Sequence, residues 1–278
     1  MRVLSISMLV ALLGMGIAGA AISITVDYTG DATYQPVFTK AANFWMGQLT
    51  GYREGSGPGT IVISASMEAI DGKGGYGGSS WITGGVYSGS YAVVSAGSME
   101  FDTADFTLEN ATSVLFEKVI FHEMAHVLGL GLAWDWNFLY DATVLPVTDP
   151  KTGEQVGRFL GKSALAAWRS EFGSPTDTYV PVEKSGVAGF ADVHWNELNA
   201  PNAATGTGYV SRINGLDLSK ELMTATLDNS GPNGFSDVYV SSVTLGSFRD
   251  MGYTIIPETG SVMALALAAA HSLARRRR

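Results

Sequence analysis

The segment His122-Glu123-Met124-Ala125-His126 places two imidazoles four residues apart, with a carboxylate directly after the first. Residues four apart on a helix lie on the same face, so both histidines can bind one metal ion, and Zn²⁺ accepts neutral imidazole nitrogens. Glu123 is rotated by about 100° from His122, which lets it flank a zinc ion and take a proton from zinc-held water. The pattern predicts a zinc hydrolase site; the alternative is a helical histidine pair beside a surface glutamate.

A catalytic zinc ion needs a third protein ligand and an open position. In the compact HExxHxxGxxH pattern the third histidine comes three residues after Gly129, but Leu132 occupies that position, so the compact pattern fails. The chain has four histidines, and His271 lies in an apolar C-terminal segment. His194 is therefore the only remaining histidine candidate for the third ligand.

The elements that must position these residues follow from the hydrophobic periodicity. One long helix is predicted from Asn110–Ser113 to Leu128, with Gly129 as its left-handed stop. Before it, the pattern predicts strands at 22–28, 60–70 and 91–101, a helix at 33–49 and a glycine-rich rim loop at 71–89. After it, the pattern predicts irregular loops, a short helix at 163–168, and a final helix from Ser242 to before Gly252, with Leu245, Phe248 and Met251 inward.

Further motifs extend the resemblance beyond the zinc segment. His194 is followed by Trp195, Glu221-Leu222-Met223-Thr224 comes later, and the region Ser242–Tyr253 closes the pattern. In this order the motifs resemble those of the leishmanolysin-like metzincins, which carry HExxHxxG and a long insertion before the third histidine. The chain departs from the protozoan enzymes in having no cysteine, and no tyrosine closely follows Met223.

The resemblance implies an α+β, two-lobe zinc endopeptidase with a twisted mixed sheet, spanning 21–254. The upper lobe is expected at about 21–131 and the lower lobe at about 132–254, with a protein or peptide substrate extended in the cleft between them. The resemblance implies His122, His126 and His194 as zinc ligands, Glu123 as general base and Met223 as the apolar floor below the metal. The rival hypothesis is a non-catalytic surface or matrix-binding module that retains the fold.

Both ends carry targeting patterns. Residues 1–20 combine Arg2, an apolar run and Ala18-Gly19-Ala20, which is typical of a cleaved signal peptide. Residues 255–278 resemble a PEP-CTERM sorting signal, cut by an exosortase in Gram-negative bacteria; an LPxTG-type sortase signal is the alternative. An exported protein, extracellular or attached to the cell envelope, is expected, with membrane contact only through these terminal segments.

Charge and composition exclude some classes of partner and metal ligand, and two further groups of residues have open roles. Without Arg2 and Arg275–Arg278 the net charge falls from −9 to −14, which argues against nucleic acid as a partner. The absence of cysteine excludes thiolate metal ligands, a cysteine nucleophile and disulfides. Asp102, Asp105 and Glu109 form either a structural calcium site or a solvated acidic turn. Trp134 and Trp136 either line the cleft or fill the core.

Overall fold

The computed structural model describes residues 21–70, 77–107, 111–185, 189–197 and 206–256. These residues form an α+β fold with one mixed four-stranded sheet, two smaller sheets and four α-helices. The helices are α1 (Gln35–Gln48), α2 (Val114–Val127), α3 (Lys162–Glu171) and α4 (Ser242–Asp250). The strands of the first half are β1 (Ile24–Thr29), β2 (Leu49–Tyr52), β3 (Ile61–Glu68), β4 (Gly78–Ser88) and β5 (Tyr91–Asp102). Those of the second half are β6 (Val147–Thr148), β7 (Gln155–Phe159), β8 (Val180–Val182) and β9 (Tyr253–Ile255).

The main sheet has the strand order β1-β3-β5-β4. β1, β3 and β5 run parallel, with Ile24 opposite Ile61 and Ser64 opposite Ser98. β4 returns antiparallel to β5 through a tight turn at Gly89, where φ is +64°, and it forms one edge of the sheet. A strand at an edge leaves a row of backbone N–H and carbonyl groups available for another chain.

The helices α1 and α2 pack together in a core rich in aromatic rings. Phe38 of α1 meets Phe101 and Phe116 at ring-centroid distances of 5.6 and 6.5 Å. The indole N–H of the fully buried Trp45 donates to the carbonyl of Phe121, 3.0 Å away, directly before His122. This bond fixes α2 against α1 directly before the segment His122–His126.

The second half of the chain contains more regular structure than its proline-rich sequence suggests. β6, β7 and β8 form a small antiparallel sheet. β9, at the end of the described chain, pairs antiparallel with β2 of the first half. α3 and α4 approach closely at Gly246, where a Cβ atom would lie 2.8 Å from the Cα of Ala164. The Asp250 carboxylate accepts hydrogen bonds from the Ser163 and Ala164 N–H groups, so α4 caps the start of α3.

One expectation from the sequence is wrong, and it concerns the glycine-rich stretch. The predicted glycine-rich loop at 71–89 contains β4, because backbone pairing with β5 stabilises a glycine-rich strand that weak local propensity does not indicate. The residues 71–76 of that stretch lie outside the described residues. The predicted inward face of the final helix is confirmed, since Phe248 and Met251 are buried and the half-buried Leu245 packs against the core.

The other elements agree with the sequence to within a few residues. α1 is two residues shorter at its start than predicted, since Ala32–Tyr34 form a 3-10 turn, and Leu49 already belongs to β2. In the described ranges, no helix has both the length and the apolar character needed to cross a membrane. The predicted signal peptide 1–20 and residues 257–278 of the predicted sorting segment lie outside those ranges.

Candidate metal centre

The α2 helix supplies the first two histidines. Its N-cap Ser113 accepts a hydrogen bond from the backbone N–H of Phe116 (3.2 Å), and it ends before Gly129, where φ is +117°. His122 and His126 are both buried one turn apart, with ring centroids 4.7 Å apart. The predicted start, end and inward face of this helix are therefore confirmed.

The third histidine comes from a segment that follows β8. The N–H of Glu183 donates to the His194 carbonyl (2.9 Å), and the N–H of Trp195 donates to the Met223 carbonyl (3.0 Å). Trp195 thus lies between Val182 on one side and Thr224 on the other. These backbone pairings bring His194 to α2 from a distant part of the chain.

The three histidines converge on one point. Their Nε2 atoms lie 3.0 Å (His122–His126), 3.1 Å (His122–His194) and 2.9 Å (His126–His194) apart. All three side chains are buried. In the part of the chain that the structure describes, this is the one group of three or more His, Cys, Asp or Glu residues with ligand atoms close enough to share a metal ion.

Hydrogen bonds on the far side of each ring determine the tautomer. The Nδ1 atoms of His122, His126 and His194 face the backbone carbonyls of Leu222 (2.6 Å), Leu130 (2.8 Å) and Phe190 (2.8 Å). Because a carbonyl only accepts, each Nδ1 must carry the proton, and each Nε2 presents a lone pair. Outer carbonyl partners of this kind orient metal-binding histidines.

The electrostatics favour the neutral form of His126 and His194. Burial, and secondly the neighbouring histidines, hold the pKa of His126 well below its ordinary value. Burial and the charge of His122 lower the pKa of His194 to about 3. Three imidazole Nε2 atoms about 3 Å apart that each present a lone pair form a donor set that fits a metal cation.

Glu123 lies beside this triad without joining it. Its side chain is largely buried, and its Oε2 accepts a hydrogen bond from the hydroxyl of Ser80 on β4 (2.7 Å). Ser80 therefore fixes the orientation of the carboxylate from the edge of the main sheet. Ser80 was not among the predicted site residues, because its stretch was predicted to be a loop.

The Glu221-Leu222-Met223 segment contacts the triad through the Leu222 carbonyl. Met223 is fully buried, and the adjacent Leu222 carbonyl is the partner of His122. The Glu221 carboxylate accepts bonds from the N–H of Met223 (2.5 Å), from the N–H of Ser241 (2.9 Å) and from the Thr244 hydroxyl (2.6 Å). Glu221 therefore ties this turn to the first residues of α4, a role that the sequence analysis did not foresee.

Trp134 and Trp136 differ in burial and in their surroundings. Trp134 is fully buried and stacks on Trp195 at a centroid distance of 4.9 Å, so it fills the core beside the third ligand. Trp136 is 37% exposed and packs over Gly85 of β4. It borders an open surface depression of about 380 Å³ together with Tyr87.

The acidic turn after β5 serves the backbone. Asp102 accepts from the N–H of Ala104 (2.9 Å), and Asp105 accepts from the N–H of Gly77 (2.8 Å). Glu109 lies outside the described residues. A calcium ion at this turn stays a prediction.

Neither a scan against protein-family models nor a search of the curated proteins returns a match for this chain.

Proposed function

We propose that this protein is a zinc-dependent endopeptidase with the two-lobe, leishmanolysin-like metzincin arrangement. The observation that carries the proposal is the convergence of three histidine Nε2 atoms beside the helix residue Glu123. Zinc is preferred because imidazole nitrogens suit it, whereas calcium and magnesium prefer oxygen ligands. His122, His126 and His194 would hold the ion.

A bound zinc ion supplies Lewis acidity, which polarises a scissile carbonyl group. Glu123 is the general base: its carboxylate removes a proton from the attacking water and returns a proton to the leaving amine. The Ser80 hydroxyl holds Oε2 of Glu123, so Oε1 is the oxygen that would take the proton. Burial of the triad limits solvent access to the ligand nitrogens.

The exposed edge of β4 is an argument for a peptide as the substrate. An extended peptide can add to an exposed sheet edge through main-chain hydrogen bonds. Ser80 on this strand contacts Glu123, so a peptide lying along β4 would pass close to the general base. The depression between Trp136 and Tyr87, further along β4, would take an apolar side chain of that peptide.

The terminal motifs support a place outside the cytoplasm. We infer export directed by the signal-like residues 1–20 and attachment or release through an exosortase acting on residues 255–278. The acidic charge of the intervening chain fits a protein or peptide partner rather than nucleic acid.

The proposal is tested by zinc content and peptide cleavage of the purified protein. We expect one zinc ion per chain and hydrolysis of casein or of a fluorogenic peptide library. The variant Glu123→Gln should keep the zinc ion and lose about 10²–10⁴-fold in kcat/KM. A wild-type protein that binds zinc but cleaves no substrate would leave the non-catalytic binding module as the better explanation.

Glu117→Gln is the matched control, because it removes a carboxylate from the same helix and loses only the ion pair with Lys40. That variant should keep both zinc and activity. Equal losses in the two glutamate variants would show that the effect comes from the helix and not from a general base.

A further inference from the structure

Three buried side chains with oxygen atoms lie on two paired segments, one of which carries His194. Glu183 follows β8, and Asn196 and Glu197 follow Trp195. The three side chains belong to residues that are each only 2% exposed. Backbone bonds hold the two segments side by side, since the N–H of Asn196 donates to the Pro181 carbonyl (3.2 Å) close to the Glu183–His194 bond.

Each of these side chains presents one oxygen without a hydrogen-bond partner. The atoms are Oε2 of Glu183, Oδ1 of Asn196 and Oε2 of Glu197, all shielded from solvent. The rest of each side chain is anchored. Oε1 of Glu183 accepts from the N–H of Ser185 (2.7 Å), Oε1 of Glu197 accepts from the Thr226 hydroxyl (2.9 Å), and Nδ2 of Asn196 donates to Glu154 (3.3 Å).

The two carboxyl groups also interact electrostatically. Burial raises the pKa of Glu197 to about 8, and the charge of Glu183 contributes in the same direction. None of the ion pairs found in the described residues involves either carboxylate, and the nearby Lys184 pairs with Asp192 instead. Buried polar atoms are normally satisfied, so three unpartnered oxygens on two adjacent segments indicate a missing partner.

We propose that Glu183, Asn196 and Glu197 bind a calcium ion, with their three unpartnered oxygens as ligands. Calcium takes six to eight oxygen ligands from carboxylates, amide carbonyls, backbone carbonyls and water, in flexible geometry. Magnesium requires near-ideal octahedral geometry and sheds its water reluctantly, so a buried set of side-chain oxygens from two segments favours calcium. The site is separate from the acidic turn of Asp102 and Asp105, and it does not depend on the proposed peptidase activity.

Calcium at this site would fix the segment that positions the third histidine. Asn196 and Glu197 lie two and three residues after His194, and Glu183 bonds to the His194 carbonyl through its N–H. Binding of calcium is therefore expected to raise the affinity of the histidine triad for zinc, and zinc should in turn raise the affinity for calcium.

The test uses the full chain freed of divalent ions on a chelating resin and then reloaded with one equivalent of zinc. Thermal unfolding is followed at rising concentrations of CaCl₂ or MgCl₂, and bound calcium is counted by elemental analysis. We expect one calcium ion per chain and a Tm that rises by about 5 °C or more between micromolar and millimolar calcium, with a smaller response to magnesium. An unchanged Tm with no bound calcium would overturn the proposal in favour of a shared proton or water, and an equal response to magnesium would overturn the choice of calcium.

Two variants locate the effect. Glu197→Gln should lose the calcium response, because it removes one of the two carboxylates of the proposed site. Asp105→Asn should keep the full calcium response. If Asp105→Asn loses the response and Glu197→Gln keeps it, the calcium ion belongs to the acidic turn and the proposed site is wrong.

Discussion

Gly131 joins the two parts of the metal centre, and its replacement by alanine should separate them. The residue has φ of +76° and directly follows Leu130, whose carbonyl orients His126. A Cβ atom at Gly131 would lie 2.4 Å from the carbonyl oxygen of Val193 and 2.6 Å from its Cβ, where ordinary contacts begin at 3.4 Å. Val193 immediately precedes His194, so the added methyl group must displace the third ligand, the Leu130 carbonyl, or both.

The expected magnitude has two parts. A left-handed backbone conformation costs a residue with a Cβ about 1–2 kcal/mol. The overlap with Val193 adds about 1–3 kcal/mol, which is the usual range for overpacking a close-packed interior. Because the segment must move by about 1 Å to restore ordinary contact, we expect zinc affinity to fall about 10–100-fold, as for loss of an outer partner of a ligand.

Gly153→Ala is the matched control. Its φ is +79°, nearly the same as at Gly131, but a Cβ atom there would have no neighbour within 4 Å. Both variants should lose stability through the backbone, and only Gly131→Ala should lose zinc affinity. Urea unfolding followed by tryptophan fluorescence measures the stability, and competition with a chromogenic chelator measures the affinity. Equal zinc affinity in the two variants would refute the steric link between Gly131 and His194.

Three further predictions concern the surroundings of the triad. Ser80→Ala should reduce kcat/KM about tenfold at unchanged zinc content, since it removes one hydrogen bond to the Glu123 carboxylate. Ser79→Ala is the neighbouring control. Equal losses of kcat/KM in the two variants would show that Ser80 does not orient Glu123. Burial raises the pKa of Glu221 to about 7 in the folded protein, from an ordinary value of 4.5. The folded state then binds the proton more tightly, so this residue's contribution is fully present below pH 4.5 and is lost as the pH rises to about 7, by about 2–4 kcal/mol. The difference in urea stability between wild type and Glu221→Gln should therefore change across this window, and a constant difference would contradict the shift. Removal of zinc by a chelator should lower the Tm of the wild type but not that of His194→Ala, whose three-ligand site is already incomplete.

Much of the local structure could be predicted from the sequence because it depends on short-range periodicity. The apolar spacing of α2, the capping Ser113 and the left-handed Gly129 are all local properties, and the structure confirms them. The same periodicity put His122 and His126 on one buried face, since residues four apart on a helix must be neighbours. The parallel strands β1, β3 and β5 were also recognisable, because they are rich in β-branched and apolar residues.

β4 could not be predicted in this way. Its many glycines give it a weak local preference, and it becomes a strand through pairing with β5. The assignment of Ser80 as the partner of Glu123 depends on that pairing, so it was missed as well. The small sheet of β6, β7 and β8 was missed for the same reason, since each strand is short and prolines lie beside β6 and within β8.

The sequence by itself determined the helix, its two histidines and the choice of His194 as the only other histidine candidate for the site. Only the tertiary structure decided that His194 reaches the pair, because its position depends on the pairing of its segment with β8 and with the turn at Met223. Only the tertiary structure supplied the carbonyls of Leu222, Leu130 and Phe190, since a backbone carbonyl leaves no signature in the sequence. Periodicity fixes which residues share a face, whereas long-range backbone pairing fixes which faces meet.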